Sequence, residues 1–131
     1  MTRRPRVLIA DDDADIRALI QAMLAGAGVT SAAVANGTTA LQHARSDPAE
    51  LYVLDVQMPD ITGVELCRQL KTEHPAGGRV LMVSAQASAT AIAAAHAAGC
   101  DAYLAKPFTR AALLEKVNAL LDDDIEPHAT T

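Results

Sequence analysis

Four short apolar runs, each nearly unbroken, constrain the fold of this chain more than any other feature. They are Val7-Leu8-Ile9-Ala10, Leu51-Tyr52-Val53-Leu54, Val80-Leu81-Met82-Val83 and Ala102-Tyr103-Leu104-Ala105. A strand that reads as continuous rather than alternating has both faces covered, as in a parallel sheet packed between helices. A weaker run, Thr30-Ser31-Ala32-Ala33-Val34, ends at the turn signal Asn36-Gly37 and is expected as a fifth strand at an edge.

Helical patterns lie between the runs. Ile16, Leu19, Ile20, Met23 and Leu24 form one stripe of an amphipathic helix, which Gly26 and Gly28 then stop. Leu113, Leu114, Val117, Leu120 and Leu121 form a second stripe, with Thr109 placed to cap its start. Residues 38–46 and 63–73 are less regular but have no internal proline. Residues 86–98 are mostly Ala, with Ile92 the only large apolar side chain, so helix propensity is high but the anchoring face is thin. Strand and helix thus alternate five times, which predicts an α/β fold: a parallel sheet with helices on both faces and right-handed crossovers.

A chain of 131 residues suffices for one domain. Half of it is hydrophobic, yet Tyr52, Tyr103 and Phe108 are its only aromatic residues, so the core is aliphatic. No apolar run approaches the length of a membrane span. The basic start, through Arg3, Arg4 and Arg6, leads directly into the first strand rather than into a leader, so a cytoplasmic protein is expected. The net charge of -5 and the absence of a basic stripe argue against direct nucleic-acid binding. Cys67 and Cys100 lack metal-ligand spacing and read as packing thiols. His43, His74, His96 and His128 are scattered and read as surface residues. The expected domain spans residues 6–121, between an N-terminal arm (1–5) and an acidic, disordered tail (122–131).

The residues just after each strand are more informative. Asp11 and Asp12 come after the first run, Asp55 after the third, Ser84 after the fourth, and Lys106-Pro107 after the fifth. In a parallel sheet these ends share one edge, where open α/β sheets bind ligands. Three clustered carboxylates repel one another, and a bound Mg²⁺ removes that repulsion through hard oxygen ligands. Lys106 adds a positive charge and Ser84 a hydroxyl donor, which together suit phosphoryl transfer onto a carboxylate nucleophile. Each piece alone has a plainer reading. Asp12 or Asp13 fits as a helix cap, Asp55 as a loop start, Ser84 as a buried hydroxyl and Lys106 as a surface charge. Their joint occurrence at successive strand ends favours a site.

These residues carry a family resemblance. Val7-Leu8-Ile9-Ala10-Asp11-Asp12-Asp13, Leu54-Asp55-Val56-Gln57-Met58-Pro59 with Gly63, Val83-Ser84-Ala85 and Ala105-Lys106-Pro107-Phe108 resemble the receiver domain of two-component response regulators, over residues 6–121. The resemblance implies a doubly wound (βα)5, flavodoxin-like sheet of order 2-1-3-4-5. It implies that Asp55 takes a phosphoryl group from a phosphohistidine on a sensor histidine kinase or histidine phosphotransfer protein. Asp11 and Asp12 would hold Mg²⁺ with Asp55 and the Gln57 backbone carbonyl, and Lys106, before a candidate cis bond to Pro107, would pair with the phosphoryl oxygens. Ser84 and Tyr103 would switch the face formed by residues 86–98, 102–105 and 109–121 for a downstream protein partner. From pattern alone Tyr103 reads as a half-buried core aromatic. A phosphorylation-dependent homodimer through that face is a further expectation, although the Ala-rich helix lacks charged residues for it. Gln57 and Gln86 hold positions thought to affect phosphoryl lifetime.

Two other classes compete. A Mg²⁺-dependent phosphatase with an Asp nucleophile would place a second Asp where Gln57 stands, and Gln57 cannot transfer a proton. A flavodoxin-like cofactor binder would need a Gly-rich phosphate loop after the first strand, which is missing. A stand-alone switch, not a catalyst of turnover, is preferred over a fragment of a longer regulator.

Overall fold

The computed structural model describes residues 5–75 and 77–122; the expected arm and tail lie almost entirely outside them. Strand and helix alternate in the order β1 (Val7–Ala10), α1 (Ala14–Gly26), β2 (Ser31–Val34), α2 (Gly37–Ser46), β3 (Leu51–Asp55), α3 (Gly63–Glu73), β4 (Arg79–Ser84), α4 (Ala89–Ala97), β5 (Ala102–Ala105) and α5 (Arg110–Asp122). The strands form one parallel sheet in the order β2-β1-β3-β4-β5. The topology matches the expected one. The chain steps from β1 first to one side, at β2, and then to the other, at β3. The carboxyl ends of β1 and β3 flank the resulting crevice.

Alternate residues of each strand feed two aliphatic cores. Leu8, Tyr52, Leu54, Val80 and Met82 face α2, α3 and α4, where they meet Leu41, Leu66, Leu70 and Ala95. Val7, Ile9, Leu51, Val53, Leu81 and Val83 face α1 and α5, where they meet Ile20, Leu24, Leu113 and Val117. This double coverage is why β1, β3 and β4 read as unbroken apolar runs. Full burial of each such side chain contributes about 1.5–3 kcal/mol.

Two elements depart from the expectation in detail. The fifth run is only partly covered: β5 is the second edge strand, and Leu104 is its one buried residue. Helix α4 starts at Ala89 rather than residue 86, because Ser88 turns its hydroxyl onto Ala91 N and caps it there. Its apolar anchor is as thin as its composition implied, with Ala95 its single buried residue. The capping ambiguity after β1 resolves in favour of Asp13, which accepts from Asp15 N and Ile16 N. Thr109 caps α5 as expected, through Ala112 N at 3.0 Å. Among the described residues, no helix is long and apolar enough to cross a membrane.

Candidate functional site

The carboxyl edge of the sheet gathers the predicted residues. Asp11 comes directly after β1 and is almost fully buried. Its Oδ1 accepts from Asp13 N at 2.9 Å, and its backbone carbonyl accepts from Arg17 Nη1 at 2.9 Å. Because Asp13 serves as the cap, Asp12 is left exposed at the pocket mouth. Asp55, the last residue of β3, is also buried. One oxygen from each of Asp11, Asp12 and Asp55 lies within 4.8 Å of the others, the one such group among the described residues.

Gly63 shapes the floor beneath Asp55. A Cβ there would stand 2.2 Å from the Asp55 carbonyl oxygen, so no side chain fits. Gly63 N instead donates to Val56 O at 2.8 Å, closing the loop between β3 and α3. Gln57 N donates to Asp55 Oδ1 at 3.4 Å, and the Gln57 residue is exposed.

Lys106 enters from the end of β5, across a cis bond to Pro107. Its Nζ lies 3.1 Å from Asp11 Oδ2 and 3.5 Å from Asp55 Oδ1. One ammonium thus serves two buried carboxylates. Burial pushes the Asp55 carboxyl up, the Asp11 charge adds to this, and Lys106 and the Gln57 N–H offset only part. Burial alone would push the Lys106 ammonium down, but its contacts with Asp11 and Asp55 outweigh this and hold it up. The pocket therefore keeps an excess of negative charge with oxygens close enough to share a small cation. That donor set, hard carboxylate oxygens with Asp12 exposed at the mouth, fits Mg²⁺.

Ser84 is buried at the end of β4. Its hydroxyl accepts from Gln86 N at 3.0 Å, and its carbonyl accepts from Lys106 N at 2.8 Å. Tyr103 does not enter the acidic pocket. Its ring packs, partly buried, on the α2–α3–α4 core, and its hydroxyl donates to Gln86 O at 2.5 Å. Ser84 and Tyr103 are thereby joined through the backbone of one residue, Gln86. Neither that link nor the Arg17 contact is visible from sequence, because a backbone contact leaves no signature in residue type.

The thiols of Cys67 and Cys100 are buried and free, as expected. Burial pushes the Cys67 thiol up to about 12, which keeps it protonated. The surface reading of the histidines needs correction at two positions. His43 and His74 are half-buried, and His43 Nδ1 and His74 Nε2 are buried without a hydrogen-bond partner. The ends of α2 and α3 pack together there, joined by Arg45–Glu73 at 2.7 Å. His96 is exposed, and His128 lies outside the described residues.

A central parallel sheet with paired acids at β1, an acid at β3, a hydroxyl at β4 and a lysine at β5 defines a receiver. The family model for the response regulator receiver domain matches residues 7–118, and the chain belongs to that family. It is 32% identical to the DNA-binding response regulator MtrA of Mycobacterium bovis, over 96% of this chain and 55% of that protein. The chain therefore spans about half the length of the curated relatives it matches. Among solved structures, it resembles the CheY-like receiver domain protein of Methanospirillum hungatei, with a TM-score of 0.86 and 30% identity over 92% of this chain and 96% of that one. It also resembles Thermotoga maritima TrrA in complex with Mg²⁺ and BeF, with a TM-score of 0.81 and 29% identity over 89% of this chain and 99% of that one.

Proposed function

We propose that this receiver domain is a cytoplasmic phosphorylation switch in which Asp55 is the phosphoacceptor. The observation that carries the reading is the buried Asp11–Asp55 pair sharing one ammonium, Lys106, with Asp12 at the mouth. Asp11, Asp12, Asp55 and the Gln57 carbonyl would hold Mg²⁺, which would supply charge neutralisation for the incoming phosphoryl oxygens. Asp55 attacks phosphorus with a carboxylate oxygen. The P–N bond of a phosphohistidine breaks, and its electron pair returns to the imidazole of a sensor histidine kinase or histidine phosphotransfer protein. Lys106 pairs with the transferred group, and Ser84 turns from Gln86 N to donate its hydroxyl to it.

Beside Lys106, an apolar cavity of about 280 Å³ is lined by Ile16, Leu19, Ala85, Pro107 and Phe108. Leu19, 43% exposed, is the one exposed large hydrophobic residue among those described. This surface suits docking of the donor protein next to the reacting oxygen. When Ser84 releases Gln86 N, the Gln86–Tyr103 bond is also disturbed. The α4–β5–α5 face then shifts population toward a form that a downstream protein recognises. The weak anchoring of α4 suits it to move.

The phosphatase reading differs in turnover. Gln57 provides no proton donor for hydrolysis, so the protein should acquire one phosphoryl group and release it slowly. Incubation with a chromogenic phosphomonoester should give no sustained product release. Rapid multiple turnover abolished by Asp55→Asn would replace the switch with an enzyme.

A further inference from the structure

Helix α2 begins beside the acidic site, and its first turn is satisfied from two directions. Asn36, the residue just before it, accepts from Thr39 N at 2.8 Å. The N–H groups of Gly37 and Thr38 instead donate to Asp60, in the loop between β3 and α3, at 3.0 and 2.7 Å. Asp60 also accepts from Ile61 N at 2.8 Å. The Thr38 hydroxyl is the strongest of the donors that hold the Asp60 carboxyl well below the usual carboxylate range.

The same loop packs on the same helix end. A Cβ on Gly37 would stand 2.3 Å from Ile61 Cγ1, so the helix start is bare where the loop crosses it. The loop is therefore held twice on one side, at Asp60 and Ile61, and once on the other, where Gly63 N meets Val56 O. Gln57 lies inside this closed stretch. A capping carboxylate would serve α2 equally well from its own N-cap, as Asn36 shows. Placing it in the site loop adds a tie between the loop and the helix.

We propose that Asp60 is a positioning residue for the cation: by tying the β3–α3 loop to the start of α2, it holds the Gln57 carbonyl against the acidic pocket. This rests on the reading of that pocket as a Mg²⁺ site. Asp60 does not touch the ion. Its effect passes through the loop backbone, as partners behind a metal's direct ligands commonly act.

The test is Mg²⁺ titration by calorimetry, with thermal unfolding, on wild type, Asp60→Ala, Asp60→Asn and Asn36→Ala. Asp60→Ala and Asn36→Ala each remove a cap from the same helix end, so both should lower Tm. Only Asp60→Ala should weaken Mg²⁺ binding, by about tenfold, with faster exchange of the Gln57 and Met58 amides. Asp60→Asn keeps one acceptor oxygen and should fall between wild type and alanine; it carries the test if Asp60→Ala fails to fold. The defect should persist in 1 M salt, where the screening length is about 3 Å and a bare charge effect vanishes. Equal weakening in Asn36→Ala and Asp60→Ala, or loss of the difference in high salt, would overturn the proposal. Failure of wild type to bind Mg²⁺ would be a different result, overturning the reading of the pocket and this inference with it.

Discussion

The two edges of the sheet handle charge in opposite ways. At the amino edge, two carboxylates each meet a cation. Arg6 meets Glu50 at 2.8 Å, and Lys71 meets Asp101 at 2.9 Å. At the carboxyl edge, three carboxylates cluster, and the two buried ones, Asp11 and Asp55, share one ammonium. The amino edge also holds a cavity of about 480 Å³ between Pro48, Lys71 and Arg79, larger than the one of about 280 Å³ beside Lys106. Size therefore does not mark the site. The mark is unbalanced buried charge, which costs stability and persists where a ligand relieves it.

The largest expected contrast concerns glycine. Gly63→Ala forces a Cβ to 2.2 Å from the Asp55 carbonyl and should cost about 2–4 kcal/mol in chemical denaturation. Gly77→Ala, near the amino edge, meets only His74, its Cβ at 3.4 Å and its carbonyl oxygen at 3.8 Å, and should be nearly silent. Similar losses at both positions would remove the claim that the carboxyl edge is the more tightly built.

Next in size is Asp101→Ala. It strips Lys71 of its carboxylate and leaves Val80 N, now bonded to Asp101 Oδ2 at 2.8 Å, without that acceptor. The expected loss is about 1–2 kcal/mol, with Mg²⁺ binding unchanged.

Asp55→Asn should have the opposite sign. The folded-state pKa of Asp55 is raised above its ordinary 3.8, so the ionised group penalises folding at neutral pH. The penalty fades as pH falls through the raised value and is absent below 3.8. The neutral amide should therefore raise Tm without Mg²⁺ at pH 7. At pH 3 the two proteins should converge. A lower Tm for Asp55→Asn at pH 7 would mean that Lys106 more than offsets the burial of Asp55.

The smallest effect is expected at Glu50→Gln. This exposed pair with Arg6 should be worth less than about 0.5 kcal/mol and should weaken further in salt.

The same contrast explains how much is legible in the sequence. Double burial writes itself as unbroken apolar runs, so β1, β3 and β4 and the placing of Asp11, Asp55, Ser84 and Lys106 at one edge can be read directly. β5 carries the same kind of run at a half-covered edge, because α4 offers only Ala95 to cover it. The start of α4 lies three residues beyond its expected place, since Ala-rich sequence favours helix everywhere and only the Ser88 cap decides. The Asp60 tie, the Gln86 bridge and the Arg17 contact are not legible. Each runs between a side chain and a distant or adjacent backbone, and backbone groups are identical at every position.

On the reading proposed above, the unbalanced charge at the carboxyl edge serves to receive a phosphoryl group on Asp55. Intact mass after incubation with acetyl phosphate or phosphoramidate tests it most directly, on wild type and Asp55→Asn, with Mg²⁺ and with EDTA. Wild type should gain one phosphoryl adduct that requires Mg²⁺ and is missing from Asp55→Asn. A folded wild type that takes up no adduct, or an adduct that survives in Asp55→Asn, would contradict it.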